Sequence, residues 1–270
     1  MGLDPCLDPL NMRIVRLDLP DGPVFGSLVN NEVELLAAAP WEQLSLTGQR
    51  VPLDQQRLLA PTTPSKVVAV GRNYLGHVRE MGYDVPTEPN LFLKPSTAVT
   101  GPDTSVVLPP TELSDDVEHE GELAVVIGKP TRNVPPDRAL DHVFGYTCAN
   151  DVSARDLQRQ DASITRAKGF DTFCPLGPWV ETDVDPGSGL WVRCRVNGEL
   201  RQDSATTELI FGVPEILAYA SAVMTLLPGD VVLTGSPAGS GSMQPGDQVE
   251  IEVEGIGVLH HGVTESNLLT

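Results

Sequence analysis

The chain has 270 residues, with 18 Lys and Arg against 37 Asp and Glu, a formal charge of −19 and a hydrophobic fraction of 40%. That length fills one large domain, or one large and one small, and no apolar run approaches the roughly 18 residues of a membrane span. So acidic a chain opposes binding to nucleic acid or to an anionic membrane, and an anionic substrate would need a local knot of positive charge.

Residues 1 to 11 read as a loose extension with neither a basic n-region nor a long apolar stretch, so no export signal is expected. The cysteines, Cys6, Cys148, Cys174 and Cys194, form no CxxC pair, which points to reduced thiols in a cytoplasmic protein and away from zinc or redox motifs. Met12 to Leu17, Val24 to Val29 and Val33 to Leu36 read as short strands, with turns at Asp21-Gly22-Pro23 and Asn30-Asn31. Ala60-Pro61-Thr62-Thr63-Pro64 is a proline-marked linker. It divides the chain into a small β-rich unit, residues 1–64, and a larger unit, residues 65–270.

Lys66 to Val70 is a strand running into Gly71-Arg72-Asn73-Tyr74, and Tyr74 to Met81 predicts about two helical turns. On that helix His77 shares a face with Glu80, the arrangement that orients an imidazole as a general base, although such pairs also occur on solvated helices. The loop from Gly82 to Asn90, with Pro86 and Pro89, has the composition of a lid. Leu91 to Lys94 is a strand. The segment Glu118 to Lys129 reads as another, closed by Gly128 and Pro130. Its alternation puts Glu120 and Glu122 on one face, about 7 Å apart, with Ala124 and Val126 continuing that face. Two like charges side by side disfavour each other unless a cation sits between them. The pair is therefore either a solvated strand start or part of a site for Mg²⁺, Mn²⁺ or Ca²⁺.

Val143 to Asp151 is a strand leading into a helix, Ser153 to Gln160. Ser153-x-x-Asp156 fits a capping box, and Asp151 is placed either to cap that helix or to serve as a third metal ligand. Lys168, in Thr165 to Pro178, is by default a surface lysine. Leu190 to Gln202 reads as a hairpin turning at Asn197-Gly198, and Pro214 opens a helix to about Leu226 with Ile216, Leu217, Ala220, Val223 and Met224 as its stripe. Pro228-Gly229-Asp230 and Pro245-Gly246-Asp247 each feed a strand. Between them, Thr234 to Gly241 lacks a P-loop signature, but its glycines and hydroxyls suit a small anion. His260-His261 carries no metal-binding context.

These stretches together resemble the fumarylacetoacetate hydrolase family. The matching pieces run in family order: Gly71-Arg72-Asn73-Tyr74 with His77, Phe92 to Ser96, Glu120-Gly121-Glu122-Leu123, Asn150 to Asp156, Arg166 to Asp171, Asn197-Gly198-Glu199, and Thr234-Gly235-Ser236-Pro237. The family commonly has threonine where this chain has Ser236. The resemblance implies a mainly β fold with few helices (α+β), a mixed β-roll preceded by a small N-terminal β-domain, and a homodimer. It implies a Mg²⁺ or Mn²⁺ site of Glu120, Glu122 and Asp151, with Lys168 beside it and His77 and Glu80 as a base dyad. Arg72, Tyr74, Arg155, Gln158 and Ser236 would line the substrate pocket. The activity implied is hydrolysis of a C–C bond in an acylpyruvate or other β-diketo acid, through an enolate. The same site would also serve an oxaloacetate decarboxylase or a hydroxydienedioate isomerase, and from another class a non-catalytic metal and dicarboxylate binder.

Overall fold

A computed structural model describes residues 11–266 of the chain. Residues 1–10 of the expected extension, Cys6 among them, lie outside the described residues. Alternating apolar positions and tight turns build the first strands: β1 (Arg13–Leu19), β2 (Gly22–Val29) and β3 (Glu32–Leu36), followed by β4 (Leu46–Pro52). Val15, Leu17, Leu28, Val33 and Leu35 form their own apolar seam. β4 exposes Thr47 through Arg50 and so carries no alternation that a sequence reading would catch. A two-residue strand, β5 (Arg57–Leu58), pairs with β1.

Beyond the proline-marked segment come β6 (Val67–Gly71), helix α1 (Leu75–Glu80) and β7 (Asn90–Lys94). β8 (Val99–Thr100), β9 (Val106–Leu108), β10 (Val117–His119) and β11 (Gly121–Ile127) lead to α2 (Pro136–Ala139) and β12 (Val143–Asn150). Next are β13 (Ser153–Ala154), helices α3 (Arg155–Gln160) and α4 (Thr165–Lys168), and β14 (Cys174–Glu181). β15 (Trp191–Val196) and β16 (Glu199–Ala205) form the expected hairpin, with Asn197 and Gly198 both at positive φ as its two-residue turn requires. Helix α5 (Val213–Val223), β17 (Val231–Leu233), β18 (Gly241–Ser242), β19 (Gln248–Val253) and β20 (Gly257–Glu265) complete the described chain. Among the described residues no helix is long and apolar enough to cross a membrane.

The result is mainly β with few helices, as expected. A 12-stranded mixed sheet runs β4-β3-β2-β1-β14-β12-β11-β17-β6-β7, with β5 beside β1 and β8 beside β14, and a five-stranded sheet, β16-β15-β19-β20-β9, packs against it. The first strands share the large sheet with the rest, because β1 pairs with β14 through Arg13↔Glu181 and Ile14↔Val180. β11 lies between β12 and β17 and is buried at every position. Its Leu123, Val125 and Ile127 join the core shared with the five-stranded sheet and α5, while Ala124 and Val126 join the opposite core with Ala69, Leu176 and Leu233. Burial on both faces explains the near-continuous apolar run.

Three expectations need correction. The strand expected from 118 to 129 is broken at Glu120: β10 belongs to a small sheet with β13 and β18, and β11 to the large one. The capping box does not form. Ser153 and Ala154 are held in ladder contact with β10, so α3 starts only at Arg155 and has no side-chain cap. Ser153 Oγ instead donates to the Asp151 carbonyl at 2.9 Å, and Asp156 accepts from Ser114 Oγ at 2.6 Å. Helix α5 ends before Leu226 and leaves Val223 60% exposed, so the apolar stripe is narrower than its sequence suggests.

Candidate active site

Three carboxylates meet where β11 begins and β12 ends. The strands are antiparallel with Gly121 opposite Asn150, so Asp151 comes to lie beside Glu120 and Glu122. One oxygen from each acid lies within 4.8 Å of the others, and all three residues are buried. The bend at Glu120 is what turns its side chain into the cluster. Two backbone N–H groups there are met by side-chain amides: Glu120 N donates to Asn150 Oδ1 and Gly121 N to Gln202 Oε1, each at 2.8 Å.

Cations crowd round the acids. Lys168, a surface lysine by default but set beside the acids by the family resemblance, is buried at the end of α4, and its Nζ lies 2.6 Å from both Glu120 and Asp151. Lys94, at the end of β7, donates to Asp151 Oδ1 at 2.6 Å and to the Val152 carbonyl at 3.1 Å. Arg155 pairs with Glu120 through Nη2, with Glu118 through Nε at 2.8 Å, and with Gln158 Oε1 through Nη1 at 2.5 Å. Burial would raise the Glu120 pKa, but the Lys168, Arg155 and His77 charges together hold it well below the usual carboxylate range. Burial also opposes the Lys168 charge, and Asp151 and Glu120 outweigh it, raising the ammonium's pKa.

Glu122 is different. Its carboxylate receives the Gly235 N–H at 2.6 Å, yet burial and the charges of Asp151 and Glu120 push its pKa well up. The cluster is therefore short of positive charge on the Glu122 side. Three hard oxygens at this spacing, one of them under-compensated, fit a divalent cation such as Mg²⁺ or Mn²⁺.

A cavity of about 190 Å³ opens over the cluster. Besides the three acids, Arg72, His77, Met81, Tyr83, Phe92, Arg155, Gln158, Lys168 and Ser236 line it. His77 is nearly buried, with Nδ1 3.3 Å from Glu80 Oε2. Glu80 is held in turn by the Gly239 N–H at 3.1 Å. The segment 234–241 does present backbone N–H groups to anions, but those anions are the protein's own Glu122 and Glu80. Gly235 is at φ +104°, and a Cβ there would come within 2.6 Å of Asn73, so only glycine permits this approach. Tyr74 is placed elsewhere: it does not line the cavity, and its buried hydroxyl has no partner among the described residues. Burial, with the Glu122 and Glu208 charges, raises its pKa.

Lys94, Glu118, Asn150 and Gln202 are the neighbours that sequence reasoning did not assign. Lys94 and Asn150 stood inside matched motifs, which was the available signal. Gln202 carried none, because its place depends on the β15–β16 hairpin folding back over the bend.

A family model for the C-terminal region of fumarylacetoacetate (FAA) hydrolase matches residues 66–264, and an Rv2993c-like N-terminal model matches residues 12–61. The chain belongs to the fumarylacetoacetate hydrolase family. A solved 5-carboxymethyl-2-hydroxymuconate delta-isomerase from Mycobacterium smegmatis is 48% identical with a TM-score of 0.89, covering 94% of this chain and all of that one (100%). An oxaloacetate tautomerase, FAHD2B of Bos taurus, is 44% identical over 222 residues, 77% of this chain and 70% of that protein. Maleylpyruvate hydrolase from Sphingobium sp. SYK-6, solved with manganese(II) and pyruvate, is 33% identical with a TM-score of 0.79, covering 95% of this chain and 100% of that one. The family thus spans isomerase, tautomerase and hydrolase names.

Proposed function

We propose that this chain is a divalent-metal-dependent enzyme for a small 2-oxo dicarboxylate, and that it interconverts keto and enol forms of an oxaloacetate-type substrate. The observation that carries the diacid is Arg72. It lines the cavity with its guanidinium carbon 4.2 Å from the Tyr83 ring centroid, and among the described residues no carboxylate lies within 4 Å of it. Arg155 and Lys168, by contrast, are already committed to the acids. An unpaired arginine stacked on an aromatic ring suits a carboxylate remote from the metal ligands. Arg72 is held at φ +59°, with Asn73 clamped by hydrogen bonds to Phe211 and Thr234. The tautomerase relative supports the reaction assigned.

Glu120, Glu122 and Asp151 would hold Mg²⁺ or Mn²⁺, with Ca²⁺ a substitute. When bound, the ion supplies Lewis acidity for the charge that develops on an enolate oxygen. His77, with Nδ1 directed at Glu80, offers Nε2 to take a proton from substrate C3 while the enol oxygen takes one from solvent water, and His77 then gives its proton to the hydroxide left behind; the reverse direction runs the same exchange backwards. Such a base contributes roughly 10²- to 10⁴-fold in rate. Lys168 adds positive charge beside the reacting oxygens, and Ser236 and Gln158 line the wall. Hydrolysis of an acylpyruvate is the second reading, favoured by the same dyad, which equally deprotonates a water, and by the maleylpyruvate hydrolase relative. We further assign residues 65–270 as the catalytic unit, and a cytoplasmic homodimer as the working form, which light scattering and fractionation would check.

The test follows the ultraviolet decay of enol-oxaloacetate in the Mn²⁺-loaded protein, with proton NMR of products and acetylpyruvate in a parallel tube. Accelerated enol decay without pyruvate is expected, and His77→Ala should lose roughly 10²- to 10⁴-fold of it while retaining Mn²⁺. Acetate plus pyruvate from acetylpyruvate alone would replace this reading with hydrolysis. Pyruvate from oxaloacetate above the metal-only rate would make the protein a decarboxylase, and inactivity in every tube would overturn both readings in favour of a hydroxydienedioate isomerase or a non-catalytic binder.

A further inference from the structure

We propose that Gln202 is a positioning residue that fixes the polarity of the Ser236 hydroxyl, forcing it to donate its proton into the cavity toward an anionic oxygen of the substrate. The inference rests on the 2-oxo-acid reading and adds to it a residue directly behind the cavity lining.

Gln202 lies on β16 and is 0% exposed. Its Oε1 accepts the Gly121 N–H at 2.8 Å, and a backbone N–H can only donate. Its Nε2 faces the Pro237 carbonyl at 2.8 Å, and a carbonyl can only accept. Two main-chain groups thus determine which end of the carboxamide is which, since turning it round would set N–H against N–H and oxygen against oxygen. The remaining Nε2 proton points at Ser236 Oγ, 2.7 Å away, so that hydroxyl must accept.

A serine hydroxyl has one proton. Apart from the Gln202 contact, the hydrogen bond recorded for Ser236 Oγ among the described residues is to the Pro237 carbonyl at 3.5 Å, beyond the 2.5–3.0 Å of a good O–H···O bond. Ser236 also lines the cavity beside Glu122 and Lys168. The proton is therefore available to a ligand and suits a carboxylate, carbonyl or enolate oxygen. A free serine would accept or donate equally well. One locked by Gln202 discriminates against ligands that present a hydroxyl or ammonium donor, because two donors would then meet.

The experiment titrates pyruvate calorimetrically into the Mn²⁺-loaded full chain. Ser236→Thr keeps the hydroxyl and should bind within about threefold of the wild type. Ser236→Val has the same shape without the donor and should bind roughly tenfold or more weakly, the loss of one hydrogen bond to a charged group. Gln202→Glu replaces the donating amide with an acceptor that draws the Ser236 proton inward. It should weaken pyruvate comparably, but add nothing in a Ser236→Val background. Should Gln202→Glu not fold, Gln202→Met, uncharged and of similar volume, removes the lock without drawing the proton inward; it should weaken pyruvate by less than Ser236→Val does and again add nothing in a Ser236→Val background.

Unchanged binding in Ser236→Val would overturn the inference. So would a Gln202 effect that persists undiminished in Ser236→Val, because it would show that Gln202 only supports the bend at Gly121. A wild-type protein that binds Mn²⁺ but not pyruvate would overturn the 2-oxo-acid reading itself, and this inference with it.

Discussion

Glu122 and His261 show how single polar contacts set the behaviour of the site. Glu122 has the Gly235 N–H as its recorded hydrogen bond and two carboxylates as neighbours, so its charge is the least compensated of the three acids. Glu122→Gln should raise the melting temperature of the metal-free protein by relieving that repulsion and abolish the rise that Mn²⁺ gives the wild type. The wild-type rise corresponds to about 2.7 kcal/mol at a hundredfold excess over Kd. Thermal scans with Mn²⁺ and with EDTA check both, and a variant that still gains stability from Mn²⁺ would remove Glu122 from the ligand set. His261 acts through Asn150. Because Asn150 Oδ1 accepts from Glu120 N, its Nδ2 must donate, and His261 Nε2, 2.9 Å away, must be unprotonated to receive it. Nδ1–H donates to the Gly262 carbonyl at 3.0 Å. Burial pushes the His261 pKa down to about 4 from 6.5. The unfolded imidazole therefore binds a proton below about pH 6.5 and the folded one only below about 4, so unfolding takes up a proton in that window. Stability should fall as the pH drops through it, by about 1.4 kcal/mol per unit. Urea midpoints at pH 7.5 and 5.0 should differ more in the wild type than in His261→Gln; equal differences would exclude His261 as the cause.

At the scale of elements, the site is assembled from strand ends and tight turns more than from helices. Its helical contributors, α1, α3 and α4, run only from four to six residues each. Elements so short are held by tertiary contacts, not by intrinsic propensity. The segment 234–241 shows this dependence. Gly239 is at φ +96°, and a Cβ added there would meet the Arg201 carbonyl oxygen at 2.0 Å, so the loop must move on substitution. Gly239→Ala should release Glu80 and with it the orientation of His77. A loss of roughly tenfold in kcat is expected, part of the contribution of a general base, with Mn²⁺ affinity changed less than about threefold. Calorimetry beside steady-state kinetics separates the two, and equal losses in both would mean that the loop supports the metal ligands instead. Of the segment 82–90, Tyr83 and Asn90 line the cavity, beside Met81 just after α1.

At the scale of the whole molecule, the N-terminal strands are built into the sheet that carries the site. Ile14 is fully buried in the same core as Ala69, Ala124 and Leu176, and Trp41 meets Phe144 edge-on, with ring centroids 5.7 Å apart. Ile14→Ala should therefore destabilise the entire chain by about 3 kcal/mol, within the range for emptying a buried aliphatic site. Calorimetry should show one transition moved to lower temperature. Two separate transitions, with only the first displaced, would show that the N-terminal unit unfolds independently.

From the sequence alone came the strands whose apolar residues alternate or run continuously, the Asn197-Gly198 hairpin, the paired Glu120 and Glu122, and a motif order specific enough to name the family. These are local signals, set by side-chain period and by backbone preferences that a few neighbouring residues decide. Tertiary structure alone decided that Lys94 supports Asp151 and that Ser153 joins a ladder instead of capping a helix, and it gave Lys168, which the family resemblance had set beside the acids, its contacts with Glu120 and Asp151. It also decided that the apparent strand from 118 to 129 breaks at Glu120, because the N–H groups of the bend are met by Asn150 and Gln202, residues 30 and 81 positions away. A charge or an amide in a sequence carries no record of its partner. Only the folded chain, by excluding water and bringing distant strands together, determines which polar groups must satisfy one another.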